Sequence, residues 1–251
     1  LRRARFRRRL AIAALPAVLG LTYAVIRTQD AVALAHRVDA MIVEGEEVLA
    51  RARTHGGEAA QLRRSALAHF DAREQVKGEE VWATAVAAAS AADKLYKQAA
   101  QHLEAALHLD PAHASARRDM ADLIFERAVL LEEGHKGELA EELIARLRLY
   151  DEGPLVERWE APGTIEVRTD PPGASVTLAR YVSDGHGVRT LVDERPVGEA
   201  PIAGLELARG SYLLRLIAPG RVPVAYPFTV GRAEQQVFSV DLPAERALPA
   251  G

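Results

Sequence analysis

Eight histidines, thirty-five carboxylates and no cysteine define the chemistry open to this 251-residue chain. Histidines and carboxylates could hold a metal or act as acids and bases. Their spacing argues otherwise. His102, His108 and His113 are six and five residues apart, which does not put them on one helix face. There is no His-Glu-x-x-His and no histidine pair at a four-residue interval. The adjacent pairs Glu132-Glu133 and Glu141-Glu142 point partly apart on a helix, so each is read as a solvated face. Without cysteine, disulfides, thiolate nucleophiles and thiolate metal sites are excluded together. The sequence has no Gly-x-Gly-x-x-Gly, Val-Ala-Ile-Lys, His-Arg-Asp or Asp-Phe-Gly, which phosphoryl transfer would need, and no Gly-x-Ser-x-Gly nucleophile elbow. No catalytic, cofactor-binding or metal residue is therefore assigned.

Charge gives the organisation. The net charge is −3, yet residues 1–9 hold six arginines, so residues 10–251 carry −9. That acidic bulk argues against nucleic acid as a partner. Arginine outnumbers lysine 28 to 4 and asparagine is absent, a bias of the kind a GC-rich genome imposes. The arginine block abuts seventeen uncharged residues, Leu10 to Ile26. Block and run together predict a transmembrane helix over 10–26, with 1–9 as a cytoplasmic juxtamembrane segment and the bulk outside the cytoplasm. The lipid bilayer is then a partner, and the expected location is the inner (cytoplasmic) membrane, single-pass. A cleaved signal peptide and a buried core helix are the competing readings of the same run.

From Thr28 to Tyr150 only Pro111 interrupts an Ala-, Leu-, Glu- and Arg-rich composition, so residues 28–150 are expected to be helical. Breaks are expected at Thr54-His55-Gly56-Gly57, near Gly78, at Asp110-Pro111 and around Gly134 to Gly137, giving about five helices. Apolar stripes run along Val38, Ile42, Val48 and Leu49; along Met120, Leu123, Ile124 and Leu131; and along Leu139, Leu143 and Leu147. Residues 151–162 read as a linker. Over 163–243, prolines and glycines recur and apolar positions alternate, which predicts an antiparallel β-sandwich of six or seven strands. Residues 244–251 read as a linker to a further domain, and the absence of an initiator Met fits a segment of a longer polypeptide.

Two resemblances sharpen this outline. Ala99-x-x-x-Leu103-x-x-Ala106-x-x-Leu109-x-Pro111 resembles the second helix and terminal proline of a tetratricopeptide repeat. Thr169-Asp170-Pro171-Pro172-Gly173-Ala174-Ser175-Val176 resembles the signature turn of the PEGA domain. Val197 to Pro201, Leu207 to Tyr212 and Ala218 to Arg221 match the features that follow it. The stretch Ala179 to Pro196 is longer than plain members carry and reads as a loop.

The fold class is therefore α+β multidomain: a transmembrane helix, an antiparallel tetratricopeptide-like helical bundle and a small PEGA-like sandwich. The order of parts resembles the region after the kinase domain in myxobacterial-type receptor serine/threonine kinases. That resemblance implies a non-catalytic anchor and extracytoplasmic sensor or interaction region, binding a protein or cell-envelope ligand. Homodimers would be one arrangement, and ATP and Mg would belong only to a kinase domain outside this chain. The alternative is a structural spacer or adhesion module tethering a downstream sulfatase-modifying-factor-like domain. Candidate binding surfaces are the helical groove Leu123 to Leu147 and the loop Tyr181 to Arg195.

Overall fold

In the computed structural model the chain forms two compact units, Leu1–Glu152 and Gly153–Gly251. The structure describes residues 2–151, 153–183 and 188–245, with side chains from residue 27 onward except that of Ser183. The first unit holds α1 (Arg2–Asp71), α2 (Gln75–Leu109), α3 (Ala114–Glu133) and α4 (Gly137–Leu147). The second holds α5 (Pro154–Glu160) and seven strands. The fold is α+β.

The membrane expectation is corrected. Among the described residues no helix is long and apolar enough to cross a membrane. The run 10–26 is not an element of its own; it lies within α1, which continues through Arg27 and Asp30 without a break. Seventeen residues at about 1.5 Å each also fall short of a roughly 30 Å hydrocarbon core. The transmembrane helix, the single-pass inner-membrane location, the cytoplasmic N-terminus and the extracytoplasmic bulk are withdrawn together. The side chains of residues 1–26 lie outside the described residues.

The expected break at Thr54 to Gly57 is also absent, because α1 runs straight through it. Its reason is a seam of small residues. Gly45, Ala52, Ala59 and Ala66 recur every seven positions on α1, and Gly78, Ala85, Ala92, Ala99 and Ala106 do so on α2; all nine are buried. A seven-residue period keeps one face of each helix on the other in a left-handed pair. Small side chains let the backbones approach closely. A methyl added at Gly45 would lie 3.1 Å from Leu103, and one at Gly78 only 2.4 Å from the Phe70 ring. Tertiary packing along this seam outweighs the glycine penalty at Gly56 and Gly57.

The turn joining α1 to α2 is short, with Arg73 at φ 60° and the Glu74 amide donating to His69 O. Charged pairs then tie α3 across the hairpin. Arg53 of α1 donates to Glu126 of α3 at 3.0 Å, and the Tyr96 hydroxyl of α2 donates to the same carboxylate at 3.3 Å. Arg127 reaches Asp93 at 2.8 Å and Arg63 reaches Glu133 at 2.5 Å. Glu133, expected on a solvated face, is thus an interhelical partner. On α4 the buried stripe is Ala140, Ile144 and Leu147, while Leu139 of the expected stripe is 48% exposed. The helix is rotated by one position from the expected face.

In the second unit, β1 (Gly163–Asp170), β4 (Ile202–Leu207) and β7 (Gln235–Asp241) form one sheet in the order β4-β1-β7. The other sheet has the order β3-β2-β5-β6, from β2 (Ser175–Ser183), β3 (Arg189–Glu199), β5 (Gly210–Ile217) and β6 (Val224–Val230). The sandwich is not wholly antiparallel, since β1 pairs with β7 in parallel. Inner-face residues Ile165, Val167, Val176, Leu178, Leu214 and Leu216 are at most 2% exposed and form the core. Phe228 stacks near Tyr212 and packs edge-on against Phe238, with centroids 5.7 and 5.0 Å away. The segment 151–162 contains α5, whose Trp159 lies under the Arg232 guanidinium, 3.6 Å from the ring centroid. Arg232 also donates to Trp159 O at 2.6 Å.

Most of Ala179 to Pro196, expected as a loop, is the β2–β3 pair; positions 184–187 lie outside the described residues. Its length goes into an edge strand with two irregularities. Between the pairs Leu178↔Arg195 and Arg180↔Val192, β3 spends one residue more than β2, a bulge at which Asp193 adopts φ 55°. A second shift falls between Val176 and Thr177, opposite Gly198 at φ 125°.

Candidate functional site

The turn motifs that carry the family resemblance serve the fold. Gly173, at φ 87° in the Pro-Pro-Gly-Ala turn, donates to Ala200 O at 2.8 Å, and the Ala200 amide donates back to Ala174 O at 2.9 Å. This joins the β1–β2 turn to the β3–β4 turn, so two of the motifs hold each other. In Leu207 to Tyr212, the Tyr212 hydroxyl donates to Ala208 O at 2.6 Å and pins the β4–β5 turn. In Ala218 to Arg221, Gly220 takes φ 68° and the Arg221 guanidinium donates to Leu242 O at 2.9 Å.

The feature that could bind is the mouth of the sandwich between β2, β3 and β4. A cavity of about 390 Å³ is floored by Leu178, Leu207 and Tyr212 and walled by Arg180, Asp193, Arg195 and Glu206. Register places the two arginines, whereas Glu206, paired with Thr164 between the core-facing Leu205 and Leu207, is on the outer face of β4 at the rim. Val176 and Leu178 are buried inner-face residues of β2, and Arg180 is the next position of that series. Arg195 lies opposite Leu178 and so on the inner face of β3. The bulge at Asp193 makes this possible, because one extra residue reverses which β3 positions face inward. The Arg180 guanidinium lies 3.5 Å from Arg209 O, and a methyl on Gly210 would come 3.3 Å from its Nε. None of the four charged side chains forms an ion pair among the described residues.

The helical unit contrasts with this. Its charges are paired across helices, and their ionisation reflects that. Burial pushes the Asp93 carboxyl up, but hydrogen bonds from Lys97 and Arg127 and their charges outweigh it, so its pKa sits below the ordinary value. Burial and the nearby Glu126 raise the Tyr96 hydroxyl. Asp119 departs from the pattern. Burial first, then Glu46 and Asp122, raise its pKa, and its Oδ2 is buried without a partner.

Of the surfaces expected from sequence, Leu123 and Leu147 at the ends of the helical stretch are core residues, while residues 133–139 between them are exposed. Within the helical unit a cleft of about 360 Å³ opens elsewhere, between the α1 segment Ala31 to Val38 and Leu109, Asp110 and His113. Tyr181 to Arg195 does contribute to the sandwich mouth, through Asp193 and Arg195. Glu206 and Tyr212 were not expected there. The signal that could have found them is that Leu207 to Tyr212 is a turn bracketing a tyrosine, which brings β4 beside the start of β5.

Three histidines of the helical unit serve the helices. His69 contacts Glu74 at 2.7 Å, His102 contacts Glu44 at 3.1 Å, and His113 caps α3 by accepting from the Ala116 amide at 3.5 Å. Among the described residues no group of three or more His, Asp or Glu side chains could hold a metal. No known protein family and no curated protein sequence matches the chain.

Proposed function

We propose that this chain is a non-catalytic interaction region, in which a braced helical unit is joined in sequence to a β-sandwich that takes a ligand at its mouth. One observation carries the reading. Asp119 apart, the helical unit pairs charges between helices at Arg53–Glu126, Arg63–Glu133 and Arg127–Asp93, whereas at the sandwich mouth Arg180, Asp193 and Arg195 form no ion pair among the described residues beside an apolar floor. Building that wall requires a non-glycine residue at positive φ, Asp193, a conformation that costs about 1 kcal/mol or more. The motifs resembling a PEGA domain, and the order of helical and sandwich parts, support placing it beside a serine/threonine kinase domain. In that setting ligand binding would bias the kinase by favouring one arrangement of the region.

The spacer reading is favoured by one feature, the uninterrupted 70 residues of α1. The two readings part on a replacement experiment. Residues 153–245 are exchanged for an unrelated sandwich of similar size in the native polypeptide, and autophosphorylation is measured. Lost or stimulus-blind activity supports the interaction region. Full retention supports the spacer and overturns it. Reading the coding sequence on both sides shows directly whether a kinase domain is encoded with it.

A further inference from the structure

We propose that α1 N-terminal of Val38 is an interface on which a second copy of this chain docks antiparallel. This goes beyond the reading of the sandwich and does not depend on it. The α1–α2 seam ends before α1 does. Its seven-residue recurrence passes through Gly45, Ala52, Ala59 and Ala66, which are buried, and continues in the sequence at Val38, Ala31, Ala24, Ala17 and Leu10. α2 stops at Leu109, and every side chain from Arg27 to Arg37 is exposed. Val32 and Leu34 are 56% and 43% exposed, against 2% at Val38. This uncovered stretch borders the cleft of about 360 Å³, whose apolar lining is Ala31, Leu34, Ala35, Val38 and Leu109.

Period, polarity and charge select the occupant. A helix with the same seven-residue period fits this face as α2 fits the rest of it, and α1 carries that period itself. Residues 10–26 hold no charge, and a helix uncharged on every side needs an apolar cover. Six arginines crowd residues 1–9, whereas Asp39 to Glu47 holds four carboxylates and no basic residue, and Asp110 adds another at the cleft. α2 fixes the direction. A second α1 laid parallel on this face would, past its own Val38, run into the space that α2 fills, and it would bring two arginine blocks together. Laid antiparallel in seven-residue register, the two copies overlap over residues 3–38, about 50 Å, and both α2 helices lie beyond the ends of the overlap. Leu10 then comes opposite Ala31, Ala17 opposite Ala24 and Phe6 opposite Ala35. Each arginine block lies beside Asp39 and Asp110 of the other copy, and position 6 brings an aromatic residue to the cleft. The contact is isologous, so it closes at two copies.

Sedimentation equilibrium of the whole chain tests the association, and a dimer is expected. Ala31→Asp puts a carboxylate in the interface and should weaken the dimer at least about tenfold. Asp39→Arg should weaken it too, and more at low salt than at high salt. Both positions are exposed in a single copy, so the helical unit folds without them, which its urea midpoint checks. Val76→Asp is the control, because Val76 is 75% exposed at the far end of the hairpin and should leave the dimer intact. Direction is read by cross-linking, since the chain has no cysteine of its own. Under mild oxidation a mixture of Leu10→Cys and Ala31→Cys chains should form a covalent dimer, and Leu10→Cys chains alone should not. A monomer at every concentration overturns the proposal, as does a monomer that binds vesicles of phosphatidylcholine and phosphatidylglycerol. A dimer that both charge variants leave intact, Leu10→Cys chains that cross-link to one another, or no cross-link in the mixture overturns it as well.

Discussion

Replacing Ala99 with leucine tests the packing on which the helical unit depends. Ala99 is fully buried in the α1–α2 seam, between Ala92 and Ala106 on the same face. The added carbons have no free volume, so either α2 moves away from α1 or neighbouring side chains leave their rotamers. Overpacking of this kind costs about 1–3 kcal/mol. Leu103, one turn along and also fully buried, provides the opposite perturbation: Leu103→Ala empties space and should cost about 2–5 kcal/mol. Ala105→Leu is the control, because Ala105 is exposed on the same helix and the propensities of the two residues differ little. The assay is urea unfolding of the whole chain followed by ellipticity at 222 nm, which is dominated by the helical unit. With a slope of about 1–3 kcal/mol per molar, a loss of about 2 kcal/mol moves the midpoint by roughly 1 M. Equal midpoints for Ala99→Leu and Ala105→Leu would refute close packing along the seam.

Three further outcomes are expected. Asp119→Asn should stabilise the helical unit at pH 7 by about 0.5–1 kcal/mol, discounted for partial exposure, because the ionised carboxylate there is desolvated and faces Glu46 and Asp122. Its folded pKa is raised, so wild-type stability falls as pH rises from the ordinary carboxylate value to the raised one. That part of the slope should vanish in the variant, and urea midpoints at pH 4 to 7 check it. Gly163→Ala should destabilise the sandwich by about 1–3 kcal/mol, since the new methyl would lie 2.3 Å from Val230 and 2.6 Å from Gly231 O; thermal unfolding measures it. Tyr212→Phe removes the bond to Ala208 O but keeps the ring, so a loss of about 1 kcal/mol and roughly 5 °C in the sandwich transition is expected; an unchanged midpoint would show that the hydroxyl does not hold the turn.

The sequence was most legible where a local rule coincided with packing. Asp110-Pro111 ends α2, and the glycines at positions 173 and 220 sit at turns with positive φ. It misled where tertiary contacts override local preference. Gly56 and Gly57 mark a break by composition, yet the alanine seam carries the helix through them. That seam was present as a seven-residue recurrence, but alanines are so frequent here that the pattern is hard to see against them. The α4 stripe was misread because leucines at 139, 143 and 147 fit the helical period as well as the true face at 140, 144 and 147 does. The run 10–26 was read as a span because composition does not show that the helix continues past it. Within the candidate site, Asp193 and Arg195 fell inside the expected surface, but Glu206 and Tyr212 come from strands of different sheets, whose approach only the short turn from Leu207 to Tyr212 signals.

The small-residue seam also has a mechanical consequence. From about Val38 to Asp71, α1 is clamped side by side to α2, and two clamped beams resist bending far more than one. N-terminal of Val38 the same helix continues without α2 beside it, because α2 ends at Leu109. Compliance is therefore greatest near Ala35 to Val38, where the doubled section gives way to the single one. A load applied along α1 would flex the molecule at that joint first, close to the cleft lined by Leu109 and His113, and leave the seam itself undeformed.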